Sequence, residues 1–263
     1  MADQQTEHAV SVDGTRIAFR RFGSGRPVII VGGALSTAEQ GRPLAVELAD
    51  AGLQGVIYDR RGRVDSGDTA PYAPDRETED LQAVVDAVGG PPVVLGHSSG
   101  AVLSLRAAAA GVPVSHLFLS EPPLRFGEDE PAEDLAERLQ SLVDQGEHEQ
   151  AVLLFLREDV GLPEPAIEGF RTSADFENLL LLSQTTVYDN RLVASVSTPP
   201  ASMLGIDVPT TILRGDPTAP LLVKAAERLA AEMPSAELVV VPESQNHGVD
   251  PTGTVREIRA RIS

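Results

Sequence analysis

The sequence predicts an α/β fold with a mostly parallel central sheet, flanking helices and a helical insertion. Short apolar runs that end in glycine or polar residues alternate with helical patterns over residues 1–121 and again over 205–263. This alternation is typical of a parallel sheet joined by right-handed crossovers. Residues 122–204 show helical patterns without a strong strand pattern. We therefore expect a core made of 1–121 and 205–263, interrupted by an insertion at 122–204.

The first predicted elements are a hairpin and a buried strand. Residues 8–22 alternate apolar and polar side chains around an Asp-Gly pair at 13–14, which favours a tight turn. The run PVIIVGG at 27–33 is continuously apolar before its glycines, as expected for a buried parallel strand. A helix at 38–51 and a short strand at 55–59 follow.

The next segment repeats the pattern of helix and strand. Residues 76–88 form an amphipathic pattern with an acidic first turn, which suits the helix dipole. A strand at 92–96 precedes an apolar, small-residue helix at 99–110, which Gly111 can end. The strand at 116–120 completes this half.

The insertion and the final segment complete the predicted elements. Helical stretches lie near 131–145, 147–157 and 174–190. After them the sequence predicts a strand at 210–214, a helix at 220–232, a strand at 238–241 and a helix at 252–262.

Composition restricts the partners of the chain. Its 263 residues include 21 Lys plus Arg and 39 Asp plus Glu, so the formal net charge is −18. Nucleic acids and anionic membranes attract positive surfaces, so neither is an expected partner. The absence of cysteine excludes disulfides, zinc–thiolate sites, iron–sulfur clusters and a thiol nucleophile.

The beginning of the sequence, MADQQTEHAV, lacks the basic and apolar regions of an export signal. Every apolar run is far shorter than the roughly 20 residues of a membrane-spanning helix. We expect a cytoplasmic protein that acts on a small molecule, and either a monomer or a homodimer is compatible with the sequence.

The clearest chemical motif is GHSSG at 96–100, which matches G-x-S-x-G between a predicted strand and a predicted helix. A nucleophile on so sharp a turn has a strained backbone, and its neighbours must be small. Gly96 and Gly100 provide that space. The motif predicts Ser98 as a nucleophile beside a helix N-terminus, where developing negative charge is favoured.

A serine nucleophile needs a base, and His247 is the best placed of the five histidines. It lies in the polar segment ESQNHG at 243–248, directly after the last strand and at the same sheet edge as Ser98. His97 adjoins Ser98, but the sharp turn is expected to direct its ring elsewhere. The remaining histidines are His8, His116 and His148.

The base needs a carboxylate that fixes its tautomer, and two residues qualify. Glu121 follows the strand at 116–120, and Asp216 follows the strand at 210–214. Both lie at the carboxyl edge, and both keep the chain order of serine, acid and histidine. The sequence leaves both open, with a slight preference for Glu121.

These features together resemble the α/β-hydrolase superfamily over nearly the whole chain. The resemblance depends on the 96–100 motif, the His247 loop, the glycine-ended strand and the segment YDRRGRVDS at 58–66. That segment is similar to the D-x-x-G-x-G-x-S stretch common in the superfamily. GHSSG, EPP and YDRRGR together resemble an actinobacterial-type subgroup.

The resemblance implies an oxyanion hole formed by the main-chain amides of Ser99 and Ala34, with no cofactor and no metal. Three positions depart from the common pattern. Gly32 stands where many relatives have histidine, Val64 replaces a glycine, and the usual acid position falls on Thr218 rather than Asp216. Some relatives carry the acid after the earlier strand, as Glu121 would be.

The expected function is that of a cofactor-independent serine hydrolase, esterase-like, acting on an ester, thioester or related acyl bond of a small apolar substrate. A lyase, cyclase or acyl-transfer enzyme on the same fold is an alternative, as is a non-catalytic ligand-binding homologue. The basic cluster of Arg60, Arg61 and Arg63 either binds an acidic group or stabilises its own loop.

Overall fold

The computed structural model describes residues 5–262, and its centre is an eight-stranded sheet. The strand order is β1-β2-β4-β3-β5-β6-β7-β8; β1 and β2 are antiparallel to their neighbours, and the other pairs are parallel. The predicted α/β fold is therefore confirmed. The strands are β1 Glu7–Val10, β2 Arg16–Gly23, β3 Pro27–Val31, β4 Gln54–Tyr58, β5 Val93–His97, β6 His116–Ser120, β7 Thr210–Gly215 and β8 Ala236–Val241.

Helices cover both faces of the sheet because alternate strand residues point in opposite directions. Ile29 and Val31 pack in one layer with α2 and α3, whereas Val28 and Ile30 pack in the other with α1 and α11. The helices are α1 Arg42–Asp50, α2 Pro74–Val88, α3 Ser99–Ala109, α4 Leu135–Asp144, α5 His148–Leu154, α6 Glu164–Arg171, α7 Phe176–Leu180, α8 Ser183–Ser195, α9 Ala201–Leu204, α10 Pro220–Glu232 and α11 Pro251–Arg261.

The predicted helix at 38–51 is divided in the structure. A 3₁₀ turn at Ala38–Gly41 precedes α1, and Pro43 lies in the first turn of α1. Proline fits there because it lacks the N–H that an interior helical position would need. The structure likewise begins α2 at Pro74, two residues earlier than predicted.

The middle segment is helical, with more and shorter helices than the sequence indicates. It contains α4 to α9 and a π-helix at Phe155–Asp159. Apolar residues of these helices form a separate core cluster, which includes Phe155 and Leu139 and packs against Leu35 in the loop after β3. The insertion therefore lies over the carboxyl end of the sheet, where that loop emerges. The boundaries 122 and 204 stay a prediction.

Residues 1–4 and 263 lie outside the described residues. The prediction that the segment MADQQTEHAV is not an export signal falls partly on residues 1–4. Within residues 5–262, no helix combines the length and apolar character needed to cross a membrane.

The three arginines of the 58–66 segment form buried ion pairs. Arg60 donates to Glu77 at 2.6 and 2.8 Å and to Asp189 at 2.8 Å, and Arg63 also reaches Asp189 at 2.8 Å. Arg61 pairs with Asp80 at 2.7 Å. Each guanidinium already has a carboxylate of the chain as its partner, so the cluster stabilises the fold rather than presenting a free anion site.

Asp189 connects this network to helix α8. Burial alone would raise the pKa of Asp189, but the guanidiniums of Arg60 and Arg63 hold that pKa below its usual range. The hydroxyl of Ser99 also donates to Asp189 at 2.7 Å. The carboxylate therefore links the insertion to the 58–66 segment and to the start of α3.

We expect Asp189→Asn to lower the free energy of unfolding by about 3–5 kcal/mol, since removing one partner leaves buried charge uncompensated. Urea unfolding followed by far-UV circular dichroism measures this. Glu168→Ala breaks the exposed pair with Arg171 and should cost less than about 1 kcal/mol. Equal losses in the two variants would contradict the structural importance of the buried network.

Candidate active site

Strand register brings the predicted site residues to one edge of the sheet. His97 pairs with Ser120, and Ser120 pairs with Leu213, so β5, β6 and β7 end side by side. The residues that follow these strands are therefore neighbours. Ser98, Glu121 and Asp216 occupy these positions.

Ser98 occupies a sharp turn between β5 and α3. Its φ is 55° and its ψ is −125°, a conformation that L-residues rarely adopt. The Ser98 N–H donates to the main-chain oxygen of Ser120 at 2.9 Å, which holds the turn. Such strain costs of the order of 1–3 kcal/mol and is often found at functional sites.

The glycines of the motif are required by close main-chain contacts. A Cβ at Gly96 would lie 2.4 Å from the oxygen of Gly100, and a Cβ at Gly100 would lie 2.3 Å from the oxygen of Val31. Main-chain atoms cannot move aside as the end of a flexible side chain can. The two glycines are thus explained by close packing of β5 against α3 at Gly96 and of α3 against the end of β3 at Gly100.

We expect Gly100→Ala to destabilise the protein by about 3 kcal/mol, the upper part of the range for overpacking. Gly169→Ala is the matched control, because a Cβ there meets nothing within 4 Å and Gly169 lies inside α6. Alanine should stabilise that exposed helical position by about 0.5–1 kcal/mol. Urea titrations measure whether the free energy of unfolding falls in Gly100→Ala and rises in Gly169→Ala. A Gly100→Ala protein as stable as wild type would contradict the packing argument.

Glu121 contacts His247. Its Oε2 lies 2.5 Å from Nδ1 of His247, and its Oε1 accepts the Gly215 N–H at 2.9 Å. Burial would raise the pKa of Glu121, but the hydrogen bonds from His247 and Gly215 hold it below its usual range. An ionised Glu121 keeps the proton of a neutral His247 on Nδ1 and leaves Nε2 available as a base.

Asp216 does not take part in this contact. It is exposed, and its N–H donates to the main-chain oxygen of Ser244 at 3.0 Å. Among the described residues, no hydrogen bond or ion pair joins Asp216 to His247. Glu121, and not Asp216, is therefore the carboxylate in contact with His247.

The ring of His97 lies beside His247, contrary to the expectation that it points elsewhere. The two ring centroids are 4.6 Å apart, and Nδ1 of His97 lies 3.3 Å from Ser120 Oγ. Burial lowers the pKa of His97 to about 3, so its ring is neutral near pH 7. Because His97 directly precedes Ser98, the sequence contained a signal that its ring lies near the site.

The other histidines have partners elsewhere. His116 Nε2 lies 3.0 Å from Thr211 Oγ1, and His148 Nδ1 lies 2.8 Å from Ser183 Oγ. His8 belongs to β1 at the edge of the sheet.

A cavity of about 470 Å³ lies against Ser98 and His247. Ala34 and Ser99 line it on the sheet side, and its apolar wall includes Phe155, Leu162, Val193 and Leu221. Within residues 5–262, no hydrogen bond joins the Ser98 hydroxyl to His247. Catalytic hydrogen bonds are often long before substrate binds.

The predicted oxyanion residues flank Ser98. A Cβ at Gly33 would lie 2.9 Å from Cβ of Ser98, so the loop leading into Ala34 passes close to the Ser98 side chain. Ser99 is the first residue of α3, and the first amides of a helix have no partner inside the helix. Ala34 and Ser99 therefore both lie beside Ser98 at the wall of the cavity.

Four charged residues of the cavity were not found by sequence reasoning. Arg125, Asp129, Asp159 and Asp189 all line it. No motif marks them, since packing of the insertion against the sheet alone brings them there. Across residues 5–262, no group of three or more His, Asp or Glu side chains is arranged to hold a metal ion.

Comparison with known proteins agrees with this architecture. N-formylmaleamate deformylase from Pseudomonas putida is 35% identical over 120 residues, which is 44% of this chain and 44% of that protein's length. A solved structure of an alpha/beta hydrolase from Sphaerobacter thermophilus is 39% identical, covers 98% of this chain and 100% of its own, and has a TM-score of 0.91.

An esterase from Exiguobacterium antarcticum shares the fold at 21% identity, with a TM-score of 0.70 and coverage of 97% of this chain and 98% of that one. Residues 17–256 match the alpha/beta hydrolase family. That match spans most of the chain and confirms the resemblance of the sequence. The chain belongs to the alpha/beta hydrolase family.

Proposed function

We propose that the protein is a cofactor-independent serine hydrolase that cleaves an ester, thioester or related acyl bond of a small substrate. The observation that carries this proposal is the 2.5 Å contact between Glu121 and His247 at the sheet edge where Ser98 occupies its strained turn. The family and the names of the relatives, an esterase and a deformylase, support acyl chemistry.

In this proposal His247 Nε2 takes the proton of Ser98 as its oxygen attacks the acyl carbon. The amides of Ser99 and Ala34 stabilise the resulting oxyanion, and each such donor contributes about 3 kcal/mol to barrier lowering. His247 then gives the proton to the leaving group. Water, activated by the same ring, hydrolyses the acyl-enzyme and releases Ser98.

Glu121 holds His247 in the tautomer that this sequence of proton transfers needs. Neutral His97 beside it adds no positive charge that would oppose formation of the imidazolium. The insertion covers the cavity and selects the substrate by shape, with mostly apolar side chains in contact with the acyl group.

Labelling with a fluorophosphonate tests the proposal, because the reagent reacts with an activated serine. Wild type should be labelled at Ser98, and Ser98→Ala and His247→Ala should not. His148→Ala is the matched control, since its exposed ring pairs with Ser183 and should leave labelling intact.

Hydrolysis of p-nitrophenyl esters of graded acyl length provides the second measurement. Esters that fit a cavity of about 470 Å³ should be the best substrates. Unlabelled but correctly folded wild type that turns over no ester would overturn the proposal. Product formation by Ser98→Ala at the wild-type rate would favour proton-transfer chemistry without an acyl-enzyme.

A further inference from the structure

Asp159 is an acidic side chain in the wall of the cavity, whose other charged lining residues include Arg125, Asp129 and Asp189. It is the last residue of the π-helix Phe155–Asp159, and it lines the same cavity as Ser98. Single-turn π-helices are rare and frequently occur at functional sites. The neighbouring wall residues Val160 and Leu162 are apolar.

Two contacts fix the position of this residue. Asn190 Nδ2 donates to Oδ1 of Asp159 at 2.8 Å, and the guanidinium of Arg125 donates to the main-chain oxygen of Asp159. In the part of the chain that the structure describes, Oδ2 of Asp159 receives no hydrogen bond. The carboxylate is thus held in place with Oδ2 unpaired, on a residue that lines the cavity.

The other charges of the cavity have different environments. Asp189 accepts from Arg60, Arg63 and Ser99, so its oxygens are already used. Asp129 is exposed to solvent at the rim. Burial raises the pKa of Asp159 to about 6, against the effects of Asn190 and Arg125, so it is mostly ionised near pH 7.

A substrate that fills the cavity expels water from Oδ2. An ionised oxygen without a donor is then costly, whereas a hydrogen bond to a charged group is among the strong ones. Sites built to accept a donor therefore discriminate strongly against substrates that lack it.

We infer that Asp159 selects the substrate by accepting a hydrogen bond from a hydroxyl or amide N–H that the acyl compound carries away from its reacting carbon. This inference rests on the proposed function in one respect, namely that the carbon attacked by Ser98 is an acyl carbon. The preferred substrate is a compact, largely apolar acyl compound with one such donor.

Matched p-nitrophenyl esters test the inference, one series with a terminal hydroxyl and the other with the corresponding methyl ether. Wild type should favour the hydroxyl series in kcat/KM by about tenfold or more, as expected for a hydrogen bond to a charged group. In Asp159→Asn, Asn190 still holds the remaining oxygen, so an NH₂ donor replaces Oδ2. We expect that variant to lose the preference or to favour the ether series.

Asp129→Asn is the matched control, because it removes the same charge from the rim of the same cavity. It should keep the wild-type preference. A preference unchanged in Asp159→Asn, or altered equally in Asp129→Asn, would overturn the inference.

A binding measurement separates this inference from the proposed function. Calorimetry compares 4-phenylbutanol with its methyl ether, neither of which has an acyl bond. Wild type should bind the alcohol more tightly and Asp159→Asn should not, even if no ester is hydrolysed. Equal binding of the two compounds to wild type would refute the role of Asp159 independently of any hydrolysis.

Discussion

Replacement of Ser98 by alanine should lower kcat for ester hydrolysis by about 10⁶-fold, as loss of the nucleophile does in serine hydrolases. The oxyanion amides and the cavity remain in this variant, so residual activity above the solution reaction and near-normal substrate binding are expected. The change removes one oxygen from a side chain that makes no hydrogen bond within the described chain. We therefore expect the far-UV circular dichroism and the urea midpoint to stay close to wild type.

Ser173→Ala controls for the loss of a hydroxyl elsewhere, because Ser173 is exposed and donates only to the main-chain oxygen of Phe170 at 2.7 Å. Its turnover should equal that of wild type. A folded Ser98→Ala protein with more than a few per cent of wild-type turnover would exclude the acyl-enzyme route.

Glu121→Gln should lower kcat by about 10³–10⁴-fold, a loss typical of removing the carboxylate from a triad. Glu121 accepts two hydrogen bonds, from Gly215 and from His247, and an amide provides only one oxygen. If that oxygen stays with Gly215, the NH₂ faces Nδ1 and moves the histidine proton to Nε2. His247 Nε2, the nitrogen that should take the proton of Ser98, is then already protonated.

Asp216→Asn is the matched control, since the sequence left this carboxylate open as the alternative acid and the structure places it in solvent. We expect it to retain at least half of wild-type kcat. Measured kcat/KM for both variants on one ester decides between the acids. A larger loss in Asp216→Asn than in Glu121→Gln would reject the assignment of the acid to Glu121.

Local signals in the sequence were enough to predict the fold and to predict that Ser98 and His247 follow strands at the same edge of the sheet. The GHSSG turn requires two glycines at fixed spacing, and His247 follows the last strand at the same sheet edge. Apolar strand runs and helical periodicity show where each strand ends, and therefore which residues reach the sheet edge, without knowledge of distant contacts. The family match confirms the fold that these signals predict.

Features that depend on tertiary neighbours could not be predicted. The choice between Glu121 and Asp216 depends on which of the two side chains reaches the His247 ring, and the apolar strand runs do not encode that direction. The direction of the His97 ring depends on a turn whose dihedral angles follow from packing. Asp159 reaches the cavity only through the fold of the insertion, where helix boundaries are poorly marked.

The buried network around Asp189 limits how the insertion can move. Helix α8 is fixed by Asp189 to Arg60 and Arg63, so swinging the whole insertion away as a rigid body would expose and separate these ion pairs. Breaking such pairs costs several kcal/mol. We therefore expect α8 to keep its position against the 58–66 segment during each turnover and to act as a fixed wall of the cavity.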